Sequence, residues 1–228
     1  MSKIQYIFIV ILLSNISGYA QTAIVTYNLQ DINPRVIDRV LKVKKEASLM
    51  EFTLSYNQEA SYFHKEKNVP IDRHIANIAS ILSGSGADYH QYPKNKTVLQ
   101  NQEVANTMYQ VDFSRKFEGW QLTNEKKQIE DYTCYKAILL EFNENTQRNT
   151  ETIAWFTPDI PAPYGPIGYG GLPGLILELT YKYAVYSVKQ ITLNPNKGVD
   201  FPIIKDGKII TEKEWVILMR KARKVTED

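Results

Sequence analysis

The chain has one cysteine in 228 residues, Cys134, which excludes an internal disulfide framework. Cys134 sits in the strand-like run Asp131-Tyr-Thr-Cys-Tyr-Lys136. A buried, small apolar residue is expected there rather than a nucleophile, with an intermolecular disulfide as the alternative. Histidine is scarce too. His64, His74 and His90 fall in none of the His-x-Glu, His-x-x-x-His or His-Glu-x-x-His spacings that converge ligands on a metal, so neither a metal nor another cofactor is expected. The net charge is only +2, which gives no electrostatic case for nucleic acid or an anionic membrane. The basic stretch 220–224 reads as the solvated end of a helix, favoured there by the helix dipole. Gly-x-Ser-x-Gly is absent. Ser83-Gly-Ser-Gly86 resembles it superficially but ends a helix, whereas a nucleophile elbow joins a strand to a helix. Beyond the amino terminus no apolar run approaches the roughly twenty residues a membrane span needs, since Glu178 and Lys182 interrupt the longest candidate.

The amino terminus is different. Lys3, an apolar run over residues 4–13 and the small-x-small sequence Gly18-Tyr19-Ala20 predict a secretory signal over residues 1–20, cleaved before Gln21. The run is too short to remain as an anchor. Residues 21–228 then form one exported domain of about 208 residues, enough for a core without metal or disulfide staples. The periplasm is the expected compartment, with the outer-membrane surface and the medium as alternatives.

The fifteen tyrosines suit half-buried sheets. Strand-like alternation runs through 22–29, 48–56, 61–63, 109–113, 134–142 and 152–156, and 175–193 reads as a hairpin turning near Tyr183-Ala184. Asn33-Pro34 opens a predicted helix over 34–47, and Ile71, Ile75, Ile78 and Leu82 predict a second that stops at 83–86. Residues 88–107 are polar and read as loop with a short strand. Thr211-Glu-Lys-Glu214 is a capping box, with Trp215, Leu218 and Ala222 on one face of a final helix. The expectation is an α+β domain dominated by antiparallel sheet, with about three helices including a C-terminal one. A half-barrel, a barrel and a sandwich all remain open.

Five of the eleven glycines lie between Gly165 and Gly174, and five of the ten prolines between Pro158 and Pro173. A phosphate cradle does not fit, because strand-like alternation follows Gly174, no Gly-Lys-Ser/Thr occurs, and Pro173 removes a donor. Tight turns fit better. Pro173 would take the second position of a type II turn and Gly174 the positive φ, feeding Leu172, Leu175 and Leu177 into the core. The aromatic neighbours Trp155, Phe156, Tyr164 and Tyr169 are candidates for a binding surface, with ordinary packing as the alternative.

The motif Gly171-Leu172-Pro173-Gly174-Leu175-Ile176 resembles the one that names the GLPGLI family of exported proteins of Gram-negative bacteria. Ile129-Glu-Asp-Tyr-Thr-Cys-Tyr-Lys-Ala137, Ala154-Trp-Phe-Thr-Pro-Asp-Ile-Pro161, Gly165-Pro166 and Ser61-Tyr-Phe63 are similar to further family segments in the same order. One departure is Glu130-Asp131, where the family commonly has a glycine. The resemblance implies a signal-bearing envelope protein whose motif is a fold signature, and it supplies no catalytic residue. Three functions follow as expectations. The first is a non-enzymatic binding protein for an envelope protein or an apolar ligand. The second is an exported hydrolase with a site assembled from scattered residues, Glu141, Glu144, Asp159 and Glu178 among the available carboxylates. The third is a structural assembly factor of the outer membrane. The sequence leaves the oligomeric state open.

Overall fold

The computed structural model describes residues 22–32, 40–143 and 147–225. Its strands form one open sheet. They are β1 (Ala23–Ile32), β2 (Glu51–Tyr56), β3 (Ser61–Lys65), β4 (Tyr89–Tyr92), β5 (Thr97–Val104), β6 (Thr107–Asp112), β7 (Gln121–Ile129), β8 (Tyr132–Asn143), β9 (Arg148–Thr157), β10 (Leu175–Tyr181), β11 (Ala184–Leu193) and β12 (Lys208–Thr211). Their order is β12-β6-β5-β4-β3-β2-β1-β11-β10-β9-β8-β7. Each neighbouring pair is antiparallel except β12 on β6, which is parallel. The helices are α1 (Val40–Ala47), α2 (Arg73–Ser83) and the C-terminal α3 (Glu212–Val225). The fold is thus the expected α+β class with a mostly antiparallel sheet, and the sheet does not close on itself.

Local chemistry sets the element ends. Asp72 caps α2 by accepting from the backbone N–H groups of His74 and Ile75, and Gly84 stops the helix at φ 79°. The capping box of α3 forms in full: Glu214 N–H donates to Thr211 Oγ1, and Thr211 N–H donates to Glu214 Oε2 at 2.8 Å. The start of the helix expected over 34–47 lies outside the described residues, and α1 is its remainder. Glu130 takes φ 49° in the turn from β7 to β8. That is the left-handed region glycine prefers.

The polar stretch 88–107 holds β4, the whole of β5 and the start of β6 rather than loop with one short strand. Gln91 is wholly buried there. It accepts from Ser61 Oγ at 2.7 Å and donates to the Tyr169 carbonyl at 2.9 Å. Paired glutamines conceal a buried face that apolar alternation would have revealed. The edge strands β7 and β12 escaped notice for a similar reason, since polar residues dominate β7 and β12 is short.

Tyr27, Phe52, Phe63 and Tyr186 pack ring against ring on the inner face of the sheet. Residues 158–174, which link β9 to β10, cross that same face. One tyrosine measures the curl. The carbonyl of Tyr169 is bound from β4, and its hydroxyl donates to Glu141 of β8 at 2.9 Å. Those strands stand seven intervals apart in the sheet order. On a flat sheet the gap would be about 34 Å, far beyond one side chain. The sheet therefore rolls around the 158–174 segment, open in its hydrogen-bond ladder but bridged inside.

Candidate functional site

The Gly/Pro segment is a plug. Ile160, Ala162, Tyr164, Ile167, Tyr169 and Leu172 are all buried. Side chains from elsewhere hold the segment and the strand it enters: Trp120 Nε1 donates to the Gly170 carbonyl at 2.9 Å, and Tyr27 Oη donates to the carbonyl of Ile176, in β10 just past the segment, at 2.6 Å. Leu172, Leu175 and Leu177 enter the core as expected. The positive φ belongs to Gly171, at 79°, and not to Gly174. Gly174 is needed for a different reason. Its N–H turns back to the Leu172 carbonyl at 2.8 Å, and a Cβ there would lie 2.0 Å from the Thr157 carbonyl oxygen. The expected type II turn is thus replaced by a tighter one pressed against the end of β9.

The four aromatic candidates occupy four different settings. Tyr164 is buried against Tyr56 at 5.0 Å and donates to the Asn57 carbonyl. Tyr169 is buried between Trp120 and Tyr181, at 6.0 and 5.7 Å. Phe156 is buried beside Tyr135. Trp155 alternates to the opposite face of β9, half-buried, with the Lys127 ammonium 4.5 Å from its ring. A cleft of about 560 Å³ beside the motif is lined by Trp120, Phe117, Pro163 and Gly171, among others.

Periodicity gave no hint of Lys116. It lies in a single 3₁₀ turn (Ser114–Phe117) whose first N–H is held by Asp112 at 2.7 Å. Lys116 is only 4 % exposed. Its ammonium donates to the Ile167 carbonyl at 2.8 Å and to Tyr89 Oη at 3.2 Å. The rings of Tyr89, Phe113 and Tyr169 stand 4.2, 4.9 and 4.9 Å away. Burial pulls its pKa down to about 7, against the opposing pull of Glu212 and Glu141. Ile167 itself holds φ 45°, a costly conformation for a β-branched residue. Lys116 therefore braces the most strained point of the plug. Burial likewise raises the Tyr89 and Tyr169 hydroxyls, and it lowers His90.

The next residue back, Arg115, bridges two carboxylates. Nη2 lies 2.6 Å from Glu212 Oε2, and Nη1 lies 3.2 Å from Glu141 Oε1. Glu212 opens α3 beside one edge of the sheet, whereas Glu141 belongs to β8 near the other. Glu141 is 12 % exposed. Its Oε2 accepts from Tyr169, and its buried Oε1 meets Arg115 as an ion pair without hydrogen-bond geometry.

Above this bridge opens a cleft of about 650 Å³, lined by Asp112, Arg115, Glu141, Phe142, Lys182, Glu212, Val216, Ile217 and Arg220, among others. Lys213, Val216, Ile217 and Arg220 fall at helical spacing on one stripe of α3, while Trp215 and Leu218 pack toward the core. Phe142, Val216 and Ile217 are 56, 39 and 46 % exposed. Sequence reading had Glu141 only as one carboxylate among several and missed Arg115 and Glu212. The signal that could have found the stripe is the pair of apolar residues Val216 and Ile217 placed off the Trp215–Leu218 face.

The fold is that of a rolled, open antiparallel sheet packed with its own connecting segment. Residues 140–178 match a family model described as a protein of unknown function, Porph_ging. That span holds Glu141, Phe142, Tyr169 and the whole Gly/Pro motif. No curated protein matches the chain. Among solved structures it is similar to PNGF-II in two crystal forms. In the C2 form the TM-score is 0.56 at 15 % identity, and in the P21 form 0.54 at 16 %. Each match covers 90 % of this chain but 34 % of the other, so the chain spans about a third of those structures, and the likeness is one of fold.

Proposed function

We propose that the protein is a non-enzymatic binding protein of the cell envelope, and that the cleft under α3 holds its ligand. The amino-terminal sequence supports the export half of this reading. The observation that carries the binding half is the exposed apolar stripe: Phe142, Val216 and Ile217 line a concave site among charged side chains. Apolar side chains left exposed in a cleft are the usual signature of a surface that something else covers. No helix among the described residues is long and apolar enough to cross a membrane.

The test is photo-crosslinking. Benzoylphenylalanine replacing Ile217 should yield a covalent adduct in the native envelope, while the same group replacing the exposed Leu41 on α1 should not. Absence of an adduct at 217, or equal labelling at 41, would remove the cleft as the binding site.

A hydrolase has one observation in its favour, the two carboxylates Glu141 and Glu212 in one cleft. Both are ion-paired to the same guanidinium through one oxygen each, and the other oxygen of Glu141 accepts from Tyr169, so the pair reads as a structural bridge. Hydrolysis of a panel of ester, glycosidic and peptide substrates that vanishes in Glu141→Gln would favour this second reading.

A further inference from the structure

Charge in the cleft is unevenly matched. Arg115 is shared by Glu141 and Glu212, and Asp112 accepts the Ser114 N–H. Two cations from different elements have no such partner: among the described residues, neither Lys182 nor Arg220 forms an ion pair. Both line the cleft. Lys182 stands in the two-residue turn between β10 and β11 at φ 51°, with its ammonium 4.8 Å from the Tyr181 ring. Arg220 ends the α3 stripe that carries Val216 and Ile217. The cleft therefore offers an apolar wall beside two cations that pair with no carboxylate among the described residues.

We infer that the ligand is an amphiphile with an apolar body and an anionic head, a carboxylate or a phosphate, whose body lies on Phe142, Val216 and Ile217 and whose head is met by Lys182 and Arg220. This rests on the reading of the cleft as the binding site. A neutral apolar molecule would leave both cations unused, and a cationic one would oppose them. The guanidinium and the ammonium suit either head, since both groups donate to carboxylate and phosphate oxygens.

The experiment titrates the purified protein with four probes of one chain length, each below its micellar concentration: dodecanoate, dodecyl phosphate, dodecyl maltoside and dodecyltrimethylammonium. Binding is read by calorimetry and by fluorescence. An anionic probe should bind at least about tenfold tighter than the neutral and cationic ones. Whichever anionic probe binds tighter names the head. Lys182→Asn combined with Arg220→Gln should erase that preference while the thermal midpoint stays put; asparagine is chosen because it tolerates the left-handed backbone. Ile217→Asn should weaken every probe that binds. Equal binding of the neutral or cationic probe would overturn the inference, as would an anionic preference that survives the double substitution. If no probe binds while the crosslink at position 217 still forms, the ligand class is wrong and the cleft stands. If both fail, the reading of the cleft falls with it.

Discussion

Arg115, just past β6, and Glu141 of β8 meet across the gap between the two ends of the rolled sheet, Nη1 to Oε1 at 3.2 Å. Glu212 at the start of α3 pairs with the same guanidinium, Nη2 to Oε2 at 2.6 Å, so the shared cation links α3 to the opposite arm of the sheet without any ladder hydrogen bond. Arg115→Ala should destabilise the protein by about 1–2 kcal/mol, little for the exposed half of the bridge and more for the half-exposed cation's mostly covered partner, Glu141. Urea unfolding measures the total. Hydrogen exchange should quicken over residues 208–225 first. Unchanged exchange there would mean that Trp215 and Leu218 alone dock the helix.

Lys116 makes stability depend on pH in a particular direction. Burial sets its folded pKa near 7, well below its usual value. Below pH 7 the amine is protonated in both states, and the full cost of burying the charge is present. Above pH 7 the folded state sheds its proton while the unfolded state keeps it, so stability rises with pH. The rise should be visible between pH 7 and about 9.5, before tyrosine ionisation in the unfolded chain begins to act the other way. Lys116→Met keeps the stem and should flatten this slope in chemical denaturation measured at several pH values. A slope that persists in the variant would assign it to another group.

Gly171 and Gly174 are both required, for different reasons. At Gly171 the backbone has φ 79°, and a Cβ would meet the Phe117 carbonyl oxygen at 2.1 Å. At Gly174 φ is not the constraint, and the obstacle is the backbone at Thr157 and Pro158, whose nearest atom is the Thr157 carbonyl oxygen at 2.0 Å. Either glycine-to-alanine change should cost about 3 kcal/mol or more, because backbone must move. Gly86→Ala is the control, since nothing lies within 4 Å of its Cβ position. Thermal melts of the three variants should separate cleanly, and a native midpoint for Gly174→Ala would refute the close-approach argument.

The sequence was most readable where one side chain faced the core and its neighbour faced water. The alternation in β1, β2, β6, β8 and β9, the capping box of α3 and the stop at Gly84 all come from such local chemistry. Residues 88–104 were opaque because Gln91 and Gln100 are buried as hydrogen-bonded groups, and a polar letter gives no sign of that. The Gly/Pro segment was legible as a turn but not as a plug, since the partners of its backbone, Gln91 on a strand, Lys116 in a 3₁₀ turn and Trp120 just before β7, are distant in sequence. Lys116 and Arg115 show the same limit within one dipeptide: one points into an aromatic enclosure and the other into the cleft, and only the rolled sheet decides which.

The position of β1 has a consequence for how the chain is made. β1 lies between β2, which follows it closely, and β11, whose Leu193 pairs with Ala23. Half of its ladder therefore waits for the last third of the polypeptide. A chain emerging amino-terminus first presents β1 as an unsatisfied edge for nearly the whole of its synthesis, and such an edge templates wrong pairings. Assembly is forced to be late and concerted. The molecule stays uncommitted through most of its own production, a property that would suit the export proposed above, in which a chain is threaded through a channel before it folds.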